Sequence, residues 1–284
     1  MAKQFGSRSW TVLKLEIIEA YLAAYLKVMK SKPFFTLGYV DAFAGDGAIN
    51  VDRLNDSEIV RGSAERAISL QPGFDKYVFI DTDAGAIERL KARARQYGRE
   101  DDCHFYTDDA NTVLQRIAAT NWKNHRAVVF LDPLGMHVEW NTLEALARTK
   151  ACDVWLWWPL GQAVIRLLKR KGRIPKDWEE RLTACFGTSE WKERFYVANP
   201  QRSLFDPRGD EDVLRSAGYQ EVAAYFRERL ESIFPRVAEP RWMYNSTNTP
   251  LFLLWFAVAN PSKSAGDIAL RVAGHILRNE QSAT

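Results

Sequence analysis

The sequence predicts an α/β protein built on a doubly wound, mostly parallel sheet, and three observations carry that prediction. Short apolar runs alternate with amphipathic stretches between Tyr39 and Trp158. That alternation is the signature of strands covered by helices on both faces. The first apolar run is followed at once by a Gly-rich turn, DAFAGDG (Asp41–Gly47). Four successive runs end at or just before aspartates.

The elements follow in order. Apolar residues at Leu13, Ile17, Ile18, Tyr21, Leu22, Tyr25 and Met29 mark a helix over Trp10–Met29, with Lys14, Glu16, Glu19 and Lys27 off the stripe. Pro33 stops it, and Tyr39–Phe43 reads as the first strand. A polar loop is expected over Ala48–Arg61 and a helix over Ser63–Ser69. KYVFID (Lys76–Asp81) is the second strand, with AIERLKARARQYG a helix behind it. CHFYT, RAVVFLDP and CDVWLWW are the third, fourth and fifth strands, separated by the helical stretches NTVLQRIAA and TLEALART. Residues 160–235 break the rhythm and read as helices and loops without a strand. RWMYN and LFLLWFAVA, joined by STNTP, then read as a hairpin.

This pattern is that of a Rossmann-like, seven-stranded methyltransferase sheet whose last strand runs antiparallel. It divides the chain into a core with an N-terminal helix (1–159), a helical insertion between strands five and six (160–235), and a C-terminal hairpin and helix that complete the core (236–284).

The 284 residues are 46% hydrophobic, enough for a sizeable core. PLFLLWFAVA, the longest apolar run, is half of what a membrane span needs, and the N-terminus lacks a secretory apolar segment. A cytoplasmic protein is expected. Cys103, Cys152 and Cys185 are scattered and odd in number, which fits neither a disulfide framework nor a zinc site. A net charge of +3 and a pI near 8.7 admit nucleic acid without requiring it.

In open α/β sheets ligands bind beyond the carboxyl ends of the strands. Here those ends offer Asp41 with the Gly45-Asp46-Gly47 turn, Asp81 with Asp83, Asp108-Asp109-Ala110-Asn111, and Asp132-Pro133-Leu134-Gly135. Gly45 and Gly47 let the backbone approach a ligand closely. Asp81 can accept both hydroxyls of a ribose, Asp109 an exocyclic amine such as N6 of adenine, and Asp132 faces the reacting centre. Asp81 and Asp109 can equally be helix N-caps, and Asp132 a turn residue. A dinucleotide fingerprint is disfavoured, because Asn50 stands where a third glycine is required and Asp81 lies too far downstream. P-loop and G-x-S-x-G signatures do not occur.

Taken together, WTxxKL (Trp10, Thr11, Lys14, Leu15), DAFAGDG, RGSAERA, FID, DDAN, VFLDPLG and PLFLLWFAVANP resemble the three-Cys-motif partner protein family, TcmP. That family is similar to class I S-adenosylmethionine-dependent methyltransferases. The resemblance implies S-adenosylmethionine as cofactor, with Asp41, Gly45 and Gly47 at its methionine end, Asp81 at the ribose, Asp109 at the adenine, and Phe43 and Asn111 as further cofactor-binding residues. It also implies a neighbouring partner with a three-cysteine, radical-SAM-like motif, which the three cysteines of this chain are not. Amino methyltransferases acting on bases carry (Asp/Asn/Ser)-Pro-Pro-(aromatic) after strand four. Here Asp132 and Pro133 match as the catalytic pair and Leu134 and Gly135 do not, so the aromatic stack is either missing here or comes from Trp140 or Trp158.

Arg166, Lys169, Arg170, Lys171 and Arg173 form a basic stretch near Trp155, Trp157, Trp158 and Trp178. Such a patch can follow a phosphate backbone, RNA or DNA, while neighbouring aromatics stack bases; it can also meet a protein partner or simply face solvent. Trp155 and Trp157 share one strand face and Trp158 takes the other, which places part of this set in the core. The expected function is a methyltransferase acting on an amino group of nucleic acid. The alternative is a scaffold of the same fold that works with the three-cysteine partner.

Overall fold

The computed structural model describes residues 10–53, 56–171, 174–198 and 213–279, with backbone alone for 49–53, 56–59 and 279. Helix α1 (Trp10–Met29) leads into β1 (Thr36–Asp41). The strand starts earlier than Tyr39 and ends at Asp41, so Ala42 and Phe43 already belong to the turn. The expected polar loop is instead a hairpin of β2 (Ala48–Arg53) and β3 (Asp56–Arg61). Next come α2 (Ser63–Ser69), β4 (Lys76–Asp81), α3 (Ala84–Gln96), β5 (Cys103–Thr107), α4 (Ala110–Ala118), β6 (His125–Leu131), α5 (Trp140–Arg148) and β7 (Cys152–Trp158).

The insertion begins with a π-helical turn, Leu160–Val164, continued by the short α6 (Ile165–Leu167). Helices α7 (Lys176–Phe186) and α8 (Trp191–Phe195) follow, then two short strands, β8 (Tyr196–Ala198) and β9 (Val213–Arg215), and α9 (Tyr219–Ile233). The antiparallel β8–β9 pair is a second departure from the sequence expectation of helices and loops alone. The chain closes with β10 (Arg236–Val237), β11 (Arg241–Tyr244), β12 (Pro250–Val258) and α10 (Lys263–Asn279).

The main sheet runs β5-β4-β1-β6-β7-β12, with β10 and β11 both paired to the outer side of β12. Strands β5 to β7 are parallel and β12 runs antiparallel to β7. Strand order reverses at β1, whose neighbours are β4 on one side and β6 on the other. This is the Rossmann-like methyltransferase arrangement that the alternation predicted.

Two apolar layers cover the sheet. On one face, Ile17, Tyr21 and Leu22 of α1, Ala64 and Ala67 of α2, Leu90 of α3 and Ala273 of α10 pack with Trp155 and Trp157. On the other, α4, α5 and the insertion pack around Trp158, which stacks on Phe226 of α9 at 4.0 Å between ring centroids. The period-two alternation of β7 therefore divides its tryptophans between the layers as expected. Among the described residues, no helix is long and apolar enough to cross a membrane.

Candidate active site at the carboxyl edge

The parallel strands deliver their acids to one edge. Asp41 ends β1 and Asp81 ends β4; Asp109 lies two residues beyond β5 and Asp132 one beyond β6. The turn after β1 is pinned from both sides: Ala42 N donates to Phe130 O at 3.1 Å and Ala44 N to Ile80 O at 3.0 Å. Gly45 and Gly47 have φ of +56° and +79°, left-handed values that favour glycine. A Cβ at Gly45 would meet nothing within 4 Å, whereas one at Gly47 would press on Leu90 Cδ1 at 3.0 Å. Gly45 is thus conformational and borders open space; Gly47 also permits close packing on α3.

Asp81 is a tie rather than a cap. Its Oδ2 accepts from Gly45 N at 2.8 Å and its Oδ1 from Asp83 N at 2.9 Å. Asp83 caps α3, accepting from Gly85 N and Ala86 N. Asp109 does cap its helix: Oδ1 takes Thr112 N at 2.9 Å and Thr112 Oγ1 at 3.2 Å. Among the described residues no hydrogen bond reaches its Oδ2. Asn111 turns to another task, since its amide accepts from Glu139 N and Thr142 Oγ1 and donates to His137 O. It fixes the segment that follows Asp132. Phe43 is half-buried and packs against the α4–α5 layer.

The turn is braced from outside. Arg93 donates to Asp46 O at 2.8 Å and pairs with Glu65 at 2.9 Å, while Arg89 meets Asp46 at 3.1 Å. Burial pushes the Asp46 carboxyl up, but hydrogen bonds from Ala48 N and Arg89 outweigh it and hold it below the usual carboxylate range.

Asp41 is fully enclosed. Burial raises its pKa to about 6, opposed by Ser63, Tyr39 and the Phe43 amide and reinforced by the charge of Asp132. Tyr39 OH donates to Oδ2 at 2.9 Å; Ser63 and the Phe43 amide are close enough to favour the charge, yet Oδ1 is left without a hydrogen-bond partner. An orphaned buried oxygen beneath a glycine turn is what a ligand's donor, or a water held by one, would satisfy. Together with the open space at Gly45 and the free Oδ2 of Asp109, it makes these residues fit S-adenosylmethionine. Because Asp41 is fully buried, its link to the ligand would run through such a water rather than by direct contact.

Asp132 is ion-paired and hydrogen-bonded to Lys14 of α1. The lysine is 6% exposed and lies 4.8 Å from the Trp157 ring centroid. The sequence reading placed Lys14 off the apolar stripe, and this is corrected: Lys14, Ile18, Tyr21 and Tyr25 follow helical spacing on one buried face. That spacing was the signal available in the sequence. Pro133 is buried and Leu134 is 93% exposed. Trp140 and Trp158 are 3% exposed each and committed to the core, so neither presents a face to a base; of the two alternatives, the missing stack is the one this burial favours.

The basic stretch leaves the sheet at the carboxyl end of β7, on the same edge as Asp132. Arg166, Arg170 and Lys171 are exposed, and Lys169 lies over Trp178 at 5.8 Å. The stretch is not a continuous helix: Lys171 bridges to Leu214, and Arg215 donates to the carbonyls of Ile165 and Leu168. Arg173 lies outside the described residues. Burial pushes the thiols of Cys103, Cys152 and Cys185 up to about 12, which leaves them unreactive.

No protein-family model matches the chain, and no curated protein matches it either. Solved structures do. A Legionella pneumophila protein is 11% identical with a TM-score of 0.44, over 92% of this chain and 91% of the other. A Listeria monocytogenes protein titled an S-adenosylmethionine-dependent methyltransferase is 10% identical with a TM-score of 0.42, over 85% and 98%. The methyltransferase domain of a bacterial CtHen1 is 12% identical with a TM-score of 0.38, over 85% and 99%. With TM-scores below 0.5, the fold assignment rests on the strand order itself.

Proposed function

We propose that the chain is an S-adenosylmethionine-dependent methyltransferase of the three-Cys-motif partner type, acting on an amino group of a nucleic-acid base. One observation carries this reading: the Gly45–Gly47 turn, at the strand flanking the switch point, is tied to the acid of the next strand through Gly45 N and Asp81 Oδ2 at 2.8 Å. When bound, the cofactor supplies a methyl group already activated on a sulfonium, so the protein has chiefly to align the acceptor.

The chain's own groups divide that work. The turn holds the methionine end, Asp81 offers its remaining lone pairs to the ribose, and Asp109 offers Oδ2 to the adenine amine. Asp132 accepts a hydrogen bond from the acceptor amine and can take its proton after transfer, while Lys14 fixes that carboxylate in place. Leu134 provides the apolar surface beside it, where base-specific enzymes use an aromatic. Arg166, Lys169, Arg170 and Lys171 run along the phosphates.

The Lys14–Asp132 pair also favours a second reading. A lysine already sits on the acid meant for the acceptor, as in a scaffold that waits for the three-cysteine partner to complete its site. Calorimetric titration with S-adenosylmethionine, with NAD as control, comes first, followed by methyl transfer to RNA and DNA. Asp81→Ala should weaken cofactor binding; Asp132→Ala should spare it and lower transfer by about 100-fold or more. Unchanged transfer by Asp132→Ala would remove that residue from the chemistry. Absence of cofactor binding would hand the lead to the scaffold.

A further inference from the structure

A cavity of about 330 Å³ lies at the other end of the sheet, between α1, α10 and the starts of β6 and β7. None of the candidate methyl-transfer residues lines it. Its wall is mostly apolar, with Tyr25, Val258 and Val272 inside and Val28 and Ile268 at its border, both 37% exposed. Into this wall is set Asp153, which is 9% exposed.

Tyr21 OH donates to Asp153 Oδ2 at 2.6 Å, and among the described residues no other hydrogen bond reaches the carboxyl. Arg126 lines the same cavity without pairing to it. Its guanidinium is engaged by the carbonyls of Trp122, Lys123 and His125 and lies 3.9 Å from the Phe35 ring centroid. A carboxyl in an apolar wall with only one donor is costly to maintain. Burial accordingly pushes its pKa up to about 6, against the pull of Tyr21 and Arg126.

We propose that this cavity is a second ligand site, separate from the carboxyl edge, which takes a small apolar molecule carrying one primary amine. The ammonium donates to Asp153 Oδ1 while Tyr21 keeps the carboxylate oriented. The apolar body fills the space against Tyr25, Val258 and Val272. Arg126 and Lys32 in the wall oppose a second positive charge, so a monoamine is preferred to a diamine, and Asp153 repels an anion. The cavity volume, at the lower end of the range for ligand pockets, suits a single ring or a short branched chain.

Calorimetry on the full chain with benzylamine, cyclohexylmethylamine and benzyl alcohol tests this, with 1,4-diaminobutane expected to bind more weakly than benzylamine and tighter binding of the diamine counting against the proposal. Benzylamine should bind saturably and roughly tenfold or more tighter than the alcohol, the difference a charged hydrogen bond makes. Asp153→Asn, which keeps an acceptor for Tyr21, should lose a similar factor. Ala269→Phe, which fills the cavity from α10, should abolish binding while the variant retains cooperative thermal unfolding. Equal binding of alcohol and amine would overturn the proposal. So would an affinity that survives either substitution, or the absence of saturable binding by benzylamine and cyclohexylmethylamine alike. Should Asp153→Asn fail to fold, the alcohol comparison and Ala269→Phe decide.

Discussion

Asp41 is held in a place where its charge is expensive, and this has a consequence in pH. Its pKa rises from 3.8 to about 6 because burial outweighs the hydrogen bonds that favour the carboxylate. Between those values the folded chain keeps a proton that the unfolded chain has released. Stability therefore falls as pH rises through that window, and the loss is complete above it. The shift corresponds to roughly 3 kcal/mol at most. Asp153 contributes a change of the same sign. Urea unfolding from pH 4.5 to 7 should show stability declining with pH, and Asp41→Asn should remove about half of that slope. A slope unchanged by the substitution would mean that Asp41 is ionised in the fold. The sequence displayed Asp41, Asp81, Asp109 and Asp132 plainly, because position at a strand end is legible. It did not display what each touches. Lys14 meets Asp132 across 118 positions of chain, and Asn111 holds a segment 26 residues away, contacts that no local spacing encodes.

At the level of elements, the glycine turn depends on a hairpin that returns to it. Gly62 N donates to Gly47 O at 2.6 Å, closing β2–β3 at its base just before α2. A Cβ at Gly62 would stand 3.0 Å from both C and O of Gly47, backbone atoms that cannot rotate aside. Gly62→Ala should therefore cost about 1–3 kcal/mol and weaken cofactor binding by displacing the turn. Gly38→Ala in β1 is the matched control: its Cβ would reach Ala127 Cβ at an ordinary 3.6 Å, so it should be neutral or mildly stabilising. Equal melting temperatures for the two variants would refute the crowding at Gly47. The hairpin escaped the sequence reading because AINVDRLNDSEIVR has no continuous apolar run, and a two-stranded ribbon need not bury a face. The three-residue strands β8 and β9 are too short for periodicity to register. The strands of the main sheet were legible for the opposite reason: covered on both faces, they read as unbroken apolar runs.

Across the whole molecule, α1 belongs to the methyltransferase-like core rather than to a detachable N-terminal addition. It carries Lys14 to the carboxyl edge and Tyr21 to the cavity at the opposite end. Along the helix Leu15, Ile17, Ile18, Tyr21, Leu22 and Leu26 are each 1% exposed or less. Burial of six such side chains contributes about 9–18 kcal/mol at roughly 1.5–3 kcal/mol apiece, an upper figure because unfolded chains already bury some apolar surface. That is a gross gain, reduced by the entropy of ordering the helix, but it is of the same order as the net stability of a domain, about 5–15 kcal/mol. Tyr21 sharpens the dependence, since its ring meets Trp155 at 5.2 Å and Phe256 at 4.9 Å while its hydroxyl partners Asp153. Removing the helix would expose that aromatic layer and leave a buried carboxyl without its donor. A chain beginning at residue 31 should therefore lack a cooperative thermal transition and bind a hydrophobic dye such as ANS. If it melted cooperatively within a few degrees of the full chain, the sheet would be holding its own core, and α1 would serve only to bring Lys14 to Asp132.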